Sequence, residues 1–430
     1  VRGPARDRVA DLDSLPSPVL DGWFDGLGGD LFFSAVLETN RGCPYGCTFC
    51  DWGSATRSRI RSFGLDRVKA EIDWVADHDF EHLLLADANF GILERDREIA
   101  QHLVEARRRT GAPHVLGTNY AKNPKRHVVD IVADLAAGGF ITMGQVALQT
   151  TDTDTLAAVN RANIRPENYD DLLRAFDELG LPIQTDLMMG LPGATPQAFR
   201  ADLQHVVDSD VHAIVARTKV LRNSPMNDPD YKARFHLRTV GDEFVAATSS
   251  FDEADMDAMV LDHARFFAAD DLGLLRIVLR LVRHRTGLGE LDALDRITEL
   301  TDAAPERFPT LWWVLRTMAR WAVEPVDWTR LFDEVRAAVV EACGVDDDGA
   351  LLAVLAVQHA LVPSYGRAWP VVVDLDHDVG GWWAALKEVR RSGGDWSTVP
   401  DLAAWGPGSI RVDDPADVSS LAISARSPMA

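Results

Sequence analysis

The sequence predicts an α/β fold, a partial TIM-like (β/α)6 barrel followed by an α-helical C-terminal domain. Two observations carry that prediction. From residue 31 to residue 220, apolar strand-like runs alternate six times with amphipathic helical patterns. After about residue 235 the alternation stops and helical periodicity continues alone. Strands covered on both faces read as continuous apolar runs, and right-handed crossovers curl such a sheet. Six units fall short of the eight that close a full barrel.

Residues 1–30 hold Pro4, Pro16, Pro18, Gly22, Gly26, Gly28 and Gly29, and read as a lead-in or linker. The barrel is expected over 31–235. Its strands are expected at Leu31–Glu38, Leu83–Ala86, His114–Gly117, Ile141–Gln149, Ile183–Met189 and Ala213–Val220. Helical patterns lie between them at Leu65–Ala76, Asp96–Arg109, Val128–Ala137, Tyr169–Leu179 and Pro196–Val207. Residues 236–430 are expected to be mostly helical, with Met256–Phe267, Leu272–Arg285, Leu311–Ala322 and Trp328–Cys343 as the clearest helices. Val371, Val372 and Val373 suggest one short strand, and the tail after about residue 415 is expected to be poorly ordered.

The formal net charge is −22, and arginine supplies nearly all of the positive charge. Such a balance disfavours non-specific binding to nucleic acid or anionic membranes. No apolar run reaches the roughly 18–20 residues of a membrane-spanning helix, and no charged-then-apolar leader is present. With four cysteines in all, the expected compartment is the cytoplasm. The first residue is Val1, which permits an N-terminal fragment.

Three of those cysteines fall within eight residues, in Arg41-Gly42-Cys43-Pro44-Tyr45-Gly46-Cys47-Thr48-Phe49-Cys50-Asp51. Three thiolates at spacings of four and three can hold three irons of a cubane 4Fe–4S cluster and leave the fourth iron open for chemistry. Structural zinc would want four protein ligands, usually in pairs two residues apart. Here the first spacing is three and no fourth ligand lies nearby, so the cysteines are read as ligands of a site-differentiated cluster. Cys343 sits in an apolar helical pattern and reads as a small buried hydrophobe.

At this loop the chain resembles the radical S-adenosylmethionine (SAM) superfamily, whose signature is C-x3-C-x2-C with an aromatic residue before the last cysteine, here Phe49. The resemblance implies that Cys43, Cys47 and Cys50 ligate the cluster and that SAM chelates its open iron. It also implies reductive cleavage of SAM to a 5′-deoxyadenosyl radical, with an electron donor such as flavodoxin or ferredoxin. Two short polar side chains, Asp87 and Asn89, end the second strand and share a side of it. The resemblance assigns Asp87 to the SAM amino group, Gln149 to the ribose, Arg161 to the carboxylate and Asp186 to the ribose hydroxyls. Gly190 and Pro192, in Gly190-Leu191-Pro192-Gly193 after the fifth strand, then form a turn along the adenine.

Further blocks widen the resemblance to the cobalamin-dependent radical SAM branch over roughly residues 12–290. They are Leu15 to Gly22, Glu38 to Gly53, Asp87 to Ile92 and Asn223 to Met226. That branch implies methylation of an unactivated carbon in a small molecule or peptide. Only about a dozen residues precede the lead-in, too few for a complete cobalamin domain, so cobalamin is expected by family alone, its domain belonging to a longer chain, lost, or supplied by another polypeptide. Radical rearrangement or oxidation without cobalamin, and a non-catalytic iron–sulfur partner protein, are the competing readings. Neither the substrate nor a catalytic residue beyond the cluster ligands is legible. Arg57, Arg59 and Arg61 could meet an anion or form surface salt bridges. Asp376, His377 and Gly380 mimic a cobalamin motif at the wrong spacing and read as a loop, and the pairs Trp312–Trp313 and Trp382–Trp383 read as core packing.

Overall fold

A computed structural model describes residues 9–52, 59–121, 126–142, 144–181, 183–241, 243–317, 326–362 and 370–412. Arg57, the end of the helix expected at Leu311–Ala322 and the tail after residue 415 lie outside them. The chain divides into two compact units, one of residues 1–194 and 216–250, the other of residues 195–215 and 251–430.

The barrel strands are β1 (Ser34–Leu37), β2 (His82–Phe90), β3 (Val115–Tyr120), β4 (Gly144–Gln145), β5 (Ile183–Met189) and β6 (His212–Arg217). They form two three-stranded sheets, ordered β1-β2-β3 and β4-β5-β6. A parallel bridge between Val115 and Ile141 continues the order from one sheet to the next. The register between β1 and β2 is parallel, Ser34 opposite His82 through Leu37 opposite Leu85, and β2 pairs β3 in the same sense. Connections run through α1 (Leu65–Asp77), α2 (Asp96–Thr110), α3 (Arg126–Ala137), the short α4 (Thr153–Ala158), α5 (Pro166–Glu178) and α6 (Pro196–Ser209). The chain therefore has the partial barrel expected of it.

Burial explains why these segments pair. Leu83, Leu85 and Phe90 of β2 are buried, as are Ile72 and Val75 of α1 and Ile99 and Leu103 of α2. An i, i+3, i+4 stripe on each helix covers the strand between them. The lead-in is tied to the same layer. Ser17 Oγ donates to Glu71 Oε1 at 2.7 Å, Arg67 Nη1 donates to the Leu15 carbonyl at 2.6 Å, and Asp13 caps the Gly64 N–H.

The fourth strand is shorter than the run Ile141–Gln149 suggests. Regular pairing covers Gly144 and Gln145, and Gln149 is joined to Leu187 by an isolated bridge. Gly144 is closed over by Phe176, where an added Cβ would stand 2.4 Å from the ring. Gln149 takes a positive φ of 67°, which ends any regular strand there.

The second unit is helical in most of its length, with α8 (Glu253–Phe266), α9 (Arg276–Thr286), α10 (Glu290–Ala303), α11 (Pro309–Thr317), α12 (Trp328–Cys343), α13 (Gly349–Leu361) and α14 (Val379–Arg391); α7 (Pro229–Arg234) belongs to the first unit. A two-stranded antiparallel ribbon pairs Val371–Leu375 with Gly408–Val412. Buried Arg280 lies 3.0 Å from Asp270 and 3.1 Å from Glu290. The helix expected from Leu272 starts later, at Arg276, after Gly273 takes a positive φ of 71°. Asp376 and His377 stand in the loop before α14, where Asp378 caps the helix by accepting from the Gly381 N–H at 2.9 Å.

The turn from β2 into α2 carries a titratable group without solvent. Asp96 is fully buried, and one carboxylate oxygen accepts from the N–H groups of Gly91 (2.8 Å) and Leu93 (3.0 Å). Its other oxygen has no hydrogen-bond partner. Burial pushes this carboxyl up to about 6, against the two backbone hydrogen bonds. The folded protein therefore holds a proton there that the unfolded chain releases near 3.8. The stability tied to that proton is complete below pH 4 and is lost as pH rises through 6. Asp96→Asn keeps an oxygen for both N–H groups and carries no charge. Its melting temperature relative to wild type should rise between pH 5 and pH 8, by an amount worth roughly 1–1.5 kcal/mol. A pH-independent difference would show that Asp96 is ionised throughout.

Candidate functional site

The cysteine loop leaves the end of β1 and is held from three directions within the first unit. It has little regular backbone pairing of its own, so its polar groups need partners elsewhere. Before the cysteines, Asn40 and Arg41 pair antiparallel with Ser62 and Arg61. Gly42 follows with a φ of 111°, a conformation that favours glycine. Cys43 and Cys47 are buried, Cys50 is half-buried, and all are free of disulfides.

From β2 comes Asn89, whose Nδ2 lies 3.2 Å from Cys43 Sγ. Its Oδ1 is buried without a hydrogen-bond partner. Two residues earlier, Asp87 is fully buried and turned onto Thr39 and Asn40. Burial pushes its carboxyl above the usual carboxylate range, opposed by the hydrogen bonds from Thr39 and Asn40.

From the segment after α4 come Asn160 and Arg161. Asn160 has a positive φ of 51°, and its Nδ2 donates to the Gly46 carbonyl at 3.0 Å. Arg161, 6% exposed, follows at once. Its Nε donates to Asn163 Oδ1 at 2.7 Å, Nη2 donates to the Ala147 carbonyl, and Nη1 lies 3.9 Å from Cys47 Sγ. Three of the five donors of a guanidinium are so occupied. Burial pulls Arg161 below the ordinary arginine value, while Cys47 and Asp186 favour its charge.

From beyond β6 comes a strap. The Thr48 carbonyl accepts from the Met226 N–H at 2.9 Å. Tyr231 of α7 places its hydroxyl 3.0 Å from Thr48 Oγ1 and 3.1 Å from the Ala158 carbonyl. Asn223 to Met226 thus closes on the cysteine loop.

The remaining expected site residues line the ends of β4 and β5. The Gln149 N–H donates to the Asp186 carbonyl at 2.6 Å. The Asp186 carboxylate accepts from Gln145 Nε2 at 2.8 Å and lies 3.4 Å from Gln184 Nε2. Gly190, with a φ of 83°, and Pro192 are buried in the turn after β5. Gly193 has no room for a side chain, since an added Cβ would meet Ala158 and Thr155 at 3.0 Å. Phe49 is half-buried between Cys47 and Cys50. Arg61 is drawn to the Val9 carbonyl.

Sequence reasoning missed Thr39, Asn40, Asn160 and Tyr231. Thr39 and Asn40 stand directly before the cysteines, yet their partner lies 48 and 47 residues away on β2. Tyr231 is 183 residues from Thr48 and carries no local signal. Among the described residues no three His, Cys, Asp or Glu side chains converge as ligands of a single metal ion. A cubane makes no such demand, because each thiolate binds a different iron.

Residues 37–206 match the model of the Radical SAM superfamily. The chain is 42% identical over 252 residues to the 2-(S-pantetheinyl)-carbapenam-3-carboxylate methyltransferase of Streptantibioticus cattleyicolor, covering 56% of this chain and 36% of that protein. It is 40% identical over 276 residues to the cobalamin-dependent radical SAM methyltransferase TokK of Streptomyces tokunonensis, covering 61% and 40%. The chain thus spans two fifths or less of the length of these curated relatives. Among solved structures, the radical SAM methyltransferase TsrM of Kitasatospora setae aligns with a TM-score of 0.39 at 19% identity over 45% of this chain and 37% of that one. The cobalamin-dependent radical enzyme OxsB aligns with a TM-score of 0.41 at 12% identity over 72% and 58%.

Asn160 offers a local test of how Arg161 is delivered. Asn160→Gly keeps the left-handed backbone and loses only the hydrogen bond to Gly46, at about 0.5–1.5 kcal/mol. Asn160→Ala also forces a Cβ residue into that backbone and should cost a further ~1 kcal/mol. Denaturant unfolding of the two variants checks the order; equal stabilities would contradict it.

Proposed function

We propose that this chain is the catalytic radical SAM portion of a methyltransferase acting on a small-molecule or peptide substrate, with cobalamin as methyl carrier. The observation that carries the radical SAM part is the donor set at one loop, three thiols outside any disulfide with Asn89 and Arg161 aimed at two of the sulfurs. That set fits a 4Fe–4S cluster, whose sulfurs accept such hydrogen bonds. When bound and reduced, the cluster supplies the electron that splits the SAM sulfonium bond and yields a 5′-deoxyadenosyl radical.

The chain's own residues bind and orient. Cys43, Cys47 and Cys50 hold the cluster. Asn89 Oδ1, buried and without a partner, suits the N–H groups of the SAM amino group, which donate. Arg161 retains donors for the carboxylate, and a planar fork matches a carboxylate well. Asp186 and Gln149 stand for the ribose, and Phe49, Gly190 and Pro192 for the adenine. The methyl-transfer part rests on the two relatives at 40% and 42% identity, and no residue described here is assigned to cobalamin. A flavodoxin or ferredoxin is the proposed electron donor and the cytoplasm the proposed compartment. Among the described residues no helix is long and apolar enough to cross a membrane.

Anaerobic reconstitution should give about four irons per chain, and reductant with SAM should release 5′-deoxyadenosine. Zinc alone after anaerobic handling would overturn the reading. Arg161→Ala should keep the cluster and weaken SAM binding by roughly ten- to a hundredfold, the equivalent of about 1.5–3 kcal/mol. Unchanged SAM affinity would remove Arg161 from the pocket.

A further inference from the structure

Asp87 stands where a ligand for the SAM amino group would be sought, at the end of β2 beside Asn89. Its geometry serves another purpose. Oδ1 accepts the backbone N–H groups of Thr39 (2.8 Å) and Asn40 (3.2 Å). Oδ2 accepts the Asn40 side-chain amide (2.9 Å) and the Thr39 hydroxyl. An ionised carboxylate offers about four lone-pair sites, so these four donors fill it. All of them belong to the two residues that lead into Arg41-Gly42-Cys43, and Thr39, Asn40 and Asp87 are each at most 1% exposed.

The segment so gripped is fixed on its other side as well. The Thr39 carbonyl accepts from the Phe63 N–H and from Arg95 Nη2, each at 3.0 Å. Thr39 and Asn40 are therefore anchored to β2 and to the segment 61–63 at once. Cys43 follows after only two more residues, one of them Gly42. Asp87 thus holds the backbone from which Cys43 springs, while Asn89, two residues on along the same strand, touches the sulfur.

We infer that Asp87 is a positioning residue of the cysteine loop, setting the three thiols in place before any cluster arrives, and that it does not bind SAM. The inference rests on the reading of this loop as a cluster site.

The test compares Asp87→Ala with Asp87→Asn, and Thr39→Val with both. The first readout is alkylation of the cysteines in the cluster-free protein, with buried Cys343 as internal reference. Asp87→Ala should speed modification of Cys43 and Cys47 about tenfold or more, as a local opening would, with Cys343 unchanged. Thr39→Val should give a smaller increase. Asp87→Asn keeps an oxygen for the two backbone N–H groups and should restore most of the protection. After reconstitution, iron content should fall in Asp87→Ala and recover in Asp87→Asn, whose SAM affinity should match wild type.

Full iron in Asp87→Asn with SAM binding weakened tenfold or more would overturn the inference and make Asp87 a ligand. Wild-type alkylation rates in both Asp87→Ala and Thr39→Val would overturn it too. Should Asp87→Ala fail to fold, Thr39→Val and Asp87→Asn decide alone. Failure of the wild-type protein to assemble any cluster would defeat the functional reading instead, and the alkylation result would stand apart from it.

Discussion

Everything at this site depends on holding open a loop that cannot hold itself. Three thiols must stay close without forming a disulfide, on a backbone with few hydrogen bonds of its own. The structure borrows the missing partners from elsewhere in the barrel. Asp87 and Asn89 come from β2, Asn160 and Arg161 from the segment after α4, and Met226 and Tyr231 from the strap beyond β6. The cysteines span eight residues, but the groups that place them span 193, from Thr39 to Tyr231. That distance is the physical reason such a loop belongs on a barrel, whose strand ends bring remote residues to one rim.

The same fact decides what could be read in advance. β2 and β5 were legible because each is a compact apolar run bounded by turns. β4 was overestimated, because Ile141 to Gln149 looks continuous in composition while Gly144 and the left-handed Gln149 limit its pairing. In the second unit α13 is buried on nearly every side, so it lacks the polar face that marks a helix. The glycines at the start of α14 hide its N-terminus. Arg280 was unreadable in another sense. Charge in a sequence suggests surface, and only the fold shows that Asp270 and Glu290 meet it inside.

The site divides along the same line. Cys43, Cys47 and Cys50 stand out in the sequence by a spacing that suits a cubane cluster. Asn89 is marked by its place at a strand end, whereas Arg161 and Asp186 were pointed to by the family resemblance. The direction in which each side chain is spent could not be named. Asp87 and Asn89 look alike in sequence, two short polar groups on one side of a strand. In the fold one is consumed by Thr39 and Asn40, and the other keeps an unpartnered oxygen beside a thiol.

The central claim is that three cysteines leave one iron of a cubane open and that SAM binds there. Electron–nuclear double resonance on the reduced, reconstituted protein tests it most directly, with SAM labelled by 17O in its carboxylate and 15N in its amino group. Hyperfine coupling from both labels to the cluster is the expected result. A reduced cluster whose spectrum is unchanged by SAM, with neither label coupled, would contradict the claim.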